Sequence, residues 1–177
     1  MNRRTVRWLR VAASVLVFVT AAYHLWWGFP RSLIYLAAFD GGVPPDPRPF
    51  LFVVLGVLLL AGPQLIMRDY LSLRNAYIAG VVLLVGSIVA WVGWHATGHG
   101  AFLVDGFSPP STGDSGHSHA STVTLVLDHF NTEPVEAAIK TVEAAAVAIL
   151  VALLWKDPVI VPKDRESEPE RHDANES

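Results

Sequence analysis

The sequence feature that most limits the fold is an apolar run from Tyr77 to His95. It reads Y-I-A-G-V-V-L-L-V-G-S-I-V-A-W-V-G-W-H and carries no charged residue before its terminal histidine. At about 1.5 Å per residue, a helix of this length measures roughly 28 Å, close to the thickness of a bilayer's hydrocarbon core. The run therefore predicts a membrane-spanning helix.

Three further apolar runs have a similar length, at residues 11–29, 50–67 and 135–155. Charged residues make up 16% of the chain, against about 25% in an average soluble domain. We therefore predict an all-α integral membrane four-helix bundle as one domain over residues 1–155. Its partner is the lipid bilayer, and nucleic acid is excluded because the net charge is −3 and no basic stripe is present.

The segments between the runs carry their own predictions. Residues 31–40 are too few to cross a bilayer, and we expect a short interfacial helix, followed by a connector rich in proline and glycine. Residues 96–134 form a hydrophilic loop in which only T-V-T-L-V-L has strand-like or surface-inserting character. Residues 156–177 are charged and interrupted by proline, so we expect a disordered cytoplasmic tail.

The amino-terminal run has a second interpretation as a cleaved signal peptide. It follows a basic segment, M-N-R-R-T-V-R-W-L-R, and Ala21-Ala22 resembles a cleavage site. However, apolar character continues through Trp26 and Trp27 to Phe29, which makes the run longer than an ordinary signal sequence. An uncleaved first span is the better prediction.

Basic residues predict the orientation of the spans. With the amino terminus in the cytoplasm, the cytoplasmic segments hold ten lysines and arginines, and the opposite segments hold only Arg31 and Arg48. Cytoplasmic loops are enriched in these residues. We therefore expect a multi-pass protein of the cell membrane with both termini cytoplasmic.

Small residues on the third run recur at helical spacing, at Ala79, Gly86, Ala90 and Gly93. A stripe of this kind allows close helix packing in lipid. The stripe either packs inside one subunit, which is the simpler hypothesis, or contacts a second copy or another membrane protein.

Polar residues within the predicted spans indicate a site. Glu136, Lys140 and Glu143 share one face of the fourth span. Counted from the cytoplasmic side, Glu143 lies at about 18 Å, Lys140 at about 22 Å and His24 at about 21 Å. Charges inside a membrane are costly and usually face a bundle interior. We expect either an internal salt bridge capped by His24 or a proton- or cation-binding site at Glu143.

Histidines on the predicted outer side suggest a metal site. Between His95 and Glu133 the chain has no lysine or arginine but several carboxylates, a composition that Zn²⁺ or Cu²⁺ favours. One alternative is a flexible polar loop whose histidines bind nothing, and another is a pH sensor. Bis-histidine haem between His24 and His95 is disfavoured because the two residues lie at different depths. The candidate metal ligands are His95, His99, His117, His119 and His129.

Enzyme signatures are not apparent: the sequence lacks G-x-S-x-G, H-E-x-x-H and a nucleotide-binding glycine loop. Its two pairs of spans also show no repeat of the kind that transporters use. The sequence therefore favours an accessory or scaffold subunit with a polar site near its outer face. The alternative is a proton-, cation- or metal-binding or transport protein.

Overall fold

The computed structural model describes residues 2–38, 46–96 and 122–160, and all regular secondary structure in them is helical. The helices are α1 (Arg3–Ala38), α2 (Arg48–Met67), α3 (Leu73–Ala96), α4 (Thr122–Thr132) and α5 (Pro134–Lys156). Four of them, α1, α2, α3 and α5, are long and apolar enough to cross a membrane. Each of the four predicted spans lies within one of these helices.

The four long helices form a bundle in which α1 packs against both α2 and α5, and α5 also packs against α3. The contact between α2 and α3 is much smaller. One end of the bundle holds the starts of α1 and α3 and the ends of α2 and α5; we call it the Arg10 end. The other end, which we call the His24 end, also carries α4, packed on α3 and α5.

Helix α1 continues through Pro30 to Ala38, so the prediction of a separate interfacial helix at residues 31–40 is wrong for the part that the structure describes. Proline keeps a helical φ and removes only one backbone donor, which a helix inside or beside a membrane tolerates. Arg31 directly follows Pro30. Its guanidinium donates a hydrogen bond to the Trp27 carbonyl at 2.9 Å and stacks 4.2 Å from the centre of the Trp27 indole ring.

The segment T-V-T-L-V-L belongs to helix α4, so its predicted strand-like character is also wrong. At the carboxyl end, Lys156 is the last residue of α5 and residues 158–160 form a turn. Residues 161–177 of the predicted tail lie outside the described residues. The same holds for most of the predicted outer loop.

Two glycines outside the predicted stripe hold α1 against α2. A Cβ added at Gly28 would lie 2.7 Å from the Pro49 carbonyl oxygen, and one at Gly56 would lie 2.7 Å from Leu25 Cγ. Only glycine allows the two backbones to approach this closely.

The predicted small-residue stripe on α3 faces away from the core of the bundle. Ala79, Gly86 and Ala90 are exposed, and a Cβ at Gly86 or Gly93 would meet nothing within 4 Å. For Ala79, Gly86 and Ala90, packing inside the described bundle, the simpler of the two hypotheses, is therefore wrong. Larger side chains such as Leu84, on another face of α3, fill the core instead.

Candidate functional site: a buried His–Lys–Glu cluster

The polar cluster at the His24 end joins three helices. His24 comes from α1, Ser87 from α3, and Lys140 and Glu143 from α5. His24 and Glu143 have no exposed surface, and Lys140 is 8% exposed. The faces of three different helices thus bring titratable side chains into the interior of an apolar bundle.

Lys140 and Glu143 form the centre of the cluster, one helical turn apart on α5. The Lys140 ammonium donates to Glu143 Oε2 at 2.8 Å and to Ser87 Oγ at 2.9 Å. Ser87 in turn donates to Glu143 Oε1 at 3.2 Å. The serine therefore relays one of the lysine's hydrogen bonds to the second carboxylate oxygen.

His24 completes the cluster in an unusual way. Its Nδ1 lies 2.8 Å from the Thr20 carbonyl oxygen, which can only accept a hydrogen bond, so Nδ1 carries the hydrogen. In the neutral ring, Nε2 then bears a lone pair. That nitrogen lies 3.5 Å from Glu143 Oε1 and has no hydrogen-bond partner among the described residues.

Two hydrogen-bond acceptors thus face each other in a buried environment. Such a contact is unfavourable because no hydrogen lies between the two atoms, and His24 Nε2 has no donor among the described residues. One added proton, on Nε2 or on the carboxylate, would turn the contact into a hydrogen bond. The same proton would give the cluster one net positive charge, which burial also opposes. Neither state is fully satisfied, and this is the property that exchangeable proton binding requires.

Glu136, the remaining member of the predicted cluster, lies apart from the other three. Its Oε2 accepts a hydrogen bond from Trp91 Nε1 at 3.0 Å. A small cavity of about 10 Å³ separates it from His24 and Lys140 and is also lined by Tyr23 and Phe52. That volume is enough for about one water molecule, so a single solvent molecule could connect Glu136 with the cluster.

The structure describes the side chain of only one of the five predicted metal-binding histidines. His95 is buried, its Nδ1 lies 2.8 Å from the Trp91 carbonyl oxygen, and its ring packs on the Trp91 indole. Within the described part of the chain, no group of three or more metal-binding side chains comes together. His99, His117 and His119 and the side chain of His129 lie outside the described residues.

A second buried polar group, at the Arg10 end, was not predicted from the sequence. Asp157 has no exposed surface. It accepts hydrogen bonds from Arg10 Nε at 2.9 Å, from Arg10 Nη2 at 2.7 Å, from Tyr77 Oη at 3.3 Å and from the Val159 backbone N–H at 3.0 Å. The carboxylate joins the start of α1, the start of α3 and the turn after α5, and every contact supplies it with a donor.

The fold and the cluster together define a class: an all-helical bundle with four helices long and apolar enough to span a membrane and ionisable side chains enclosed between them. No protein-family model, no curated protein and no solved structure matches the chain.

Proposed function

We propose that this chain is a four-span protein of the cell membrane with both ends in the cytosol. Large apolar side chains cover the outside of the bundle, including Phe18, Trp26, Val82 and Val89, each at least 60% exposed. Such a surface suits lipid rather than water. The excess of arginine and lysine at the Arg10 end supports placing that end in the cytosol.

Cysteine accessibility tests this orientation cleanly because the chain has no cysteine of its own. Tyr70→Cys lies in the exposed turn after α2, and Asn131→Cys lies on the exposed side of α4. A membrane-impermeant maleimide should label position 131 in intact cells and position 70 only after permeabilisation. The reverse pattern would contradict the proposal.

We further propose that the protein binds and exchanges a proton at the cluster of His24, Ser87, Lys140 and Glu143. The observation that carries this function is the 3.5 Å contact between His24 Nε2 and Glu143 Oε1, in which two acceptors lack a hydrogen between them. The cavity next to Glu136 supports exchange with the outer side, because Glu136 lies only three residues into α5 from its start at the His24 end.

Nitrogen NMR of histidine-labelled protein in lipid nanodiscs tests this function. We expect His24 Nδ1 to stay protonated at every pH, while Nε2 changes between a lone-pair and a protonated signal. His95 is an internal control, because its Nδ1 contacts the carbonyl four residues earlier in the same way. Glu143→Gln should abolish or displace the His24 titration and leave the His95 signals unchanged. A His24 Nε2 signal that is constant over the whole pH range, and equal in Glu143→Gln, would exclude proton binding here.

A second candidate function, an accessory subunit of a membrane assembly, is favoured by the outward stripe on α3. Gly86 has open space over it, which leaves room for a helix of a second copy or of another protein. Gly86→Leu should then weaken a crosslinked dimer or hetero-complex isolated from native membranes. Unchanged crosslinking would argue against a contact at this stripe.

A further inference from the structure

A large cleft opens at the Arg10 end of the bundle, far from the proton site. Its volume is about 690 Å³, and it lies between α1, α2 and α3 with Leu150 of α5 also contributing. Leu59 and Leu150 on its walls are buried, whereas Phe18, Leu58 and Leu65 are exposed at its rim. The cleft is therefore a lateral opening that faces the surroundings of the bundle, and its volume lies in the range of small-molecule sites.

The cleft exists because small residues occupy positions where larger ones would fill it. Gly62, Ala76 and Gly80 all line it. A Cβ at Gly62 would meet nothing within 4 Å, so the space beside this glycine is open. Helices α2 and α3 touch only over a small surface, which leaves the space between them available to a ligand.

The end of the bundle at which the cleft opens has an excess of basic side chains. Arg10 lines the cleft and uses Nε and Nη2 for Asp157, while its Nη1 donates no hydrogen bond to a described residue. The Arg10 side chain is 37% exposed. Basic side chains outnumber acidic ones among the described residues of this end: Arg3, Arg4, Arg7, Arg10, Arg68, Arg74 and Lys156 against Asp69 and Asp157.

We infer that the cleft binds an anionic phospholipid, with one acyl chain between α2 and α3 and the phosphate beside Arg10. The apolar walls match an acyl chain, and the excess of arginine at this end matches an anionic headgroup at the level where the helices end. A zwitterionic lipid would satisfy the walls but would not use the charge. This inference rests on the proposed membrane insertion and is independent of the proton site.

Native mass spectrometry of the full-length chain in detergent tests the inference with two lipids, phosphatidylglycerol and phosphatidylcholine. We expect phosphatidylglycerol to bind about tenfold more tightly. Gly62→Leu places a side chain in the cleft and favours the helix, and it should reduce phosphatidylglycerol binding by about tenfold. Gly86→Leu is the matched control, because it makes the same change at an open position that does not line the cleft.

The headgroup is tested separately with the double variant Arg7→Gln/Arg74→Gln, which neutralises two exposed arginines at this end. It should bring the affinity for phosphatidylglycerol close to that for phosphatidylcholine. Equal binding of both lipids to the unmodified protein, or equal loss in Gly62→Leu and Gly86→Leu, would overturn the inference. Thermal unfolding in the same detergent reports whether each variant is folded, and this readout depends on neither lipid binding nor the proton site.

Discussion

The two ends of this bundle each bury a carboxylate completely, and they treat it in opposite ways. Asp157 receives donors from a guanidinium, a phenol and a backbone N–H. Glu143 receives donors from Lys140 and Ser87, but its Oε1 also faces the lone pair of His24 Nε2 at 3.5 Å. Burial is the same at both ends, whereas hydrogen-bond satisfaction differs.

This difference separates a structural carboxylate from one suited to proton exchange. Protonating Asp157 would replace an acceptor by a donor where only donors surround it, and would weaken the bidentate pair with Arg10. Protonating the His24–Glu143 pair would instead create a hydrogen bond where none exists. We therefore expect the Arg10 end to hold helices together and the His24 end to respond to pH.

The largest effect is expected from Lys140→Met. This change leaves the buried Glu143 without its ammonium partner, and removal of one member of a buried pair costs roughly 3–5 kcal/mol. The free energy of unfolding, measured by titration with a denaturing detergent, should fall by this amount at neutral pH. The loss should shrink at low pH, where protonation removes the unpaired charge.

The double variant Lys140→Met/Glu143→Leu is the control for that prediction. Apolar replacement of both partners is often neutral or stabilising, so most of the lost stability should return. A double variant as unstable as Lys140→Met would show that the pair contributes through packing rather than charge. If the double variant also keeps any activity that the protein proves to have, the proton-site proposal loses its support.

The next largest effect is expected from Asp157→Asn, which sharpens the comparison at the other end. An amide cannot accept two parallel hydrogen bonds from Arg10, so the clamp between α1, α3 and the turn after α5 is lost. We expect a cost of about 3 kcal/mol that is independent of pH near neutrality. Asp69→Asn is the matched control, because Asp69 is exposed and asparagine tolerates its φ of 59°. An equal loss of stability in Asp157→Asn and Asp69→Asn would contradict a structural role for Asp157.

A smaller effect is expected from Glu143→Gln, although the chemical change is the same as at Asp157. The glutamine carbonyl can still accept from Lys140, and its amide can donate to His24 Nε2. The Lys140 ammonium loses its counter-charge, but it keeps a hydrogen-bond acceptor, so the cost should be about 2 kcal/mol and smaller than in Lys140→Met. Stability should also lose the pH dependence contributed by this cluster. A cost equal to that of Asp157→Asn would mean that both carboxylates are structural.

Much of the His24 end could be predicted from the sequence because local rules apply there. The three-residue spacing of Lys140 and Glu143 puts them on one helix face, and a count along each span places His24 at the same depth. Ser87 was missed because a serine inside an apolar span carries no pattern. The outward direction of the α3 stripe was missed because small residues are equally suited to packing within and between subunits.

The Arg10 end could not be predicted in the same way. Arg10 and Asp157 are separated by 147 residues, and Asp157 follows the last apolar run, where composition indicates a disordered tail. Its burial depends on the end of α5 lying beside Arg10 of α1 and Tyr77 of α3. His95 shows the same limit: its inward position follows from the stripe facing outward, which only the packing of the helices reveals.

The smallest effect concerns Asp46, a carboxylate outside the long helices that is only partly exposed. Partial burial alone would raise the pKa of this carboxyl, but hydrogen bonds from the Arg48 guanidinium and backbone N–H outweigh it and hold the pKa below its ordinary value of 3.8. A lowered folded-state pKa means that the pair stabilises the protein above that value, and that this contribution is lost as the pH falls below it.

The free energy of unfolding of Asp46→Asn should therefore lie less than about 1 kcal/mol below that of the unmodified protein at pH 6. The gap should close in acid, while Arg48 stays stacked 4.3 Å from the Trp94 ring in both proteins. A difference in the free energy of unfolding that persists at all pH values would indicate that the asparagine disturbs the start of α2. The lost ion pair with Arg48 would then not be the cause. That result would leave the His24 end as the acid-sensitive region of the described bundle.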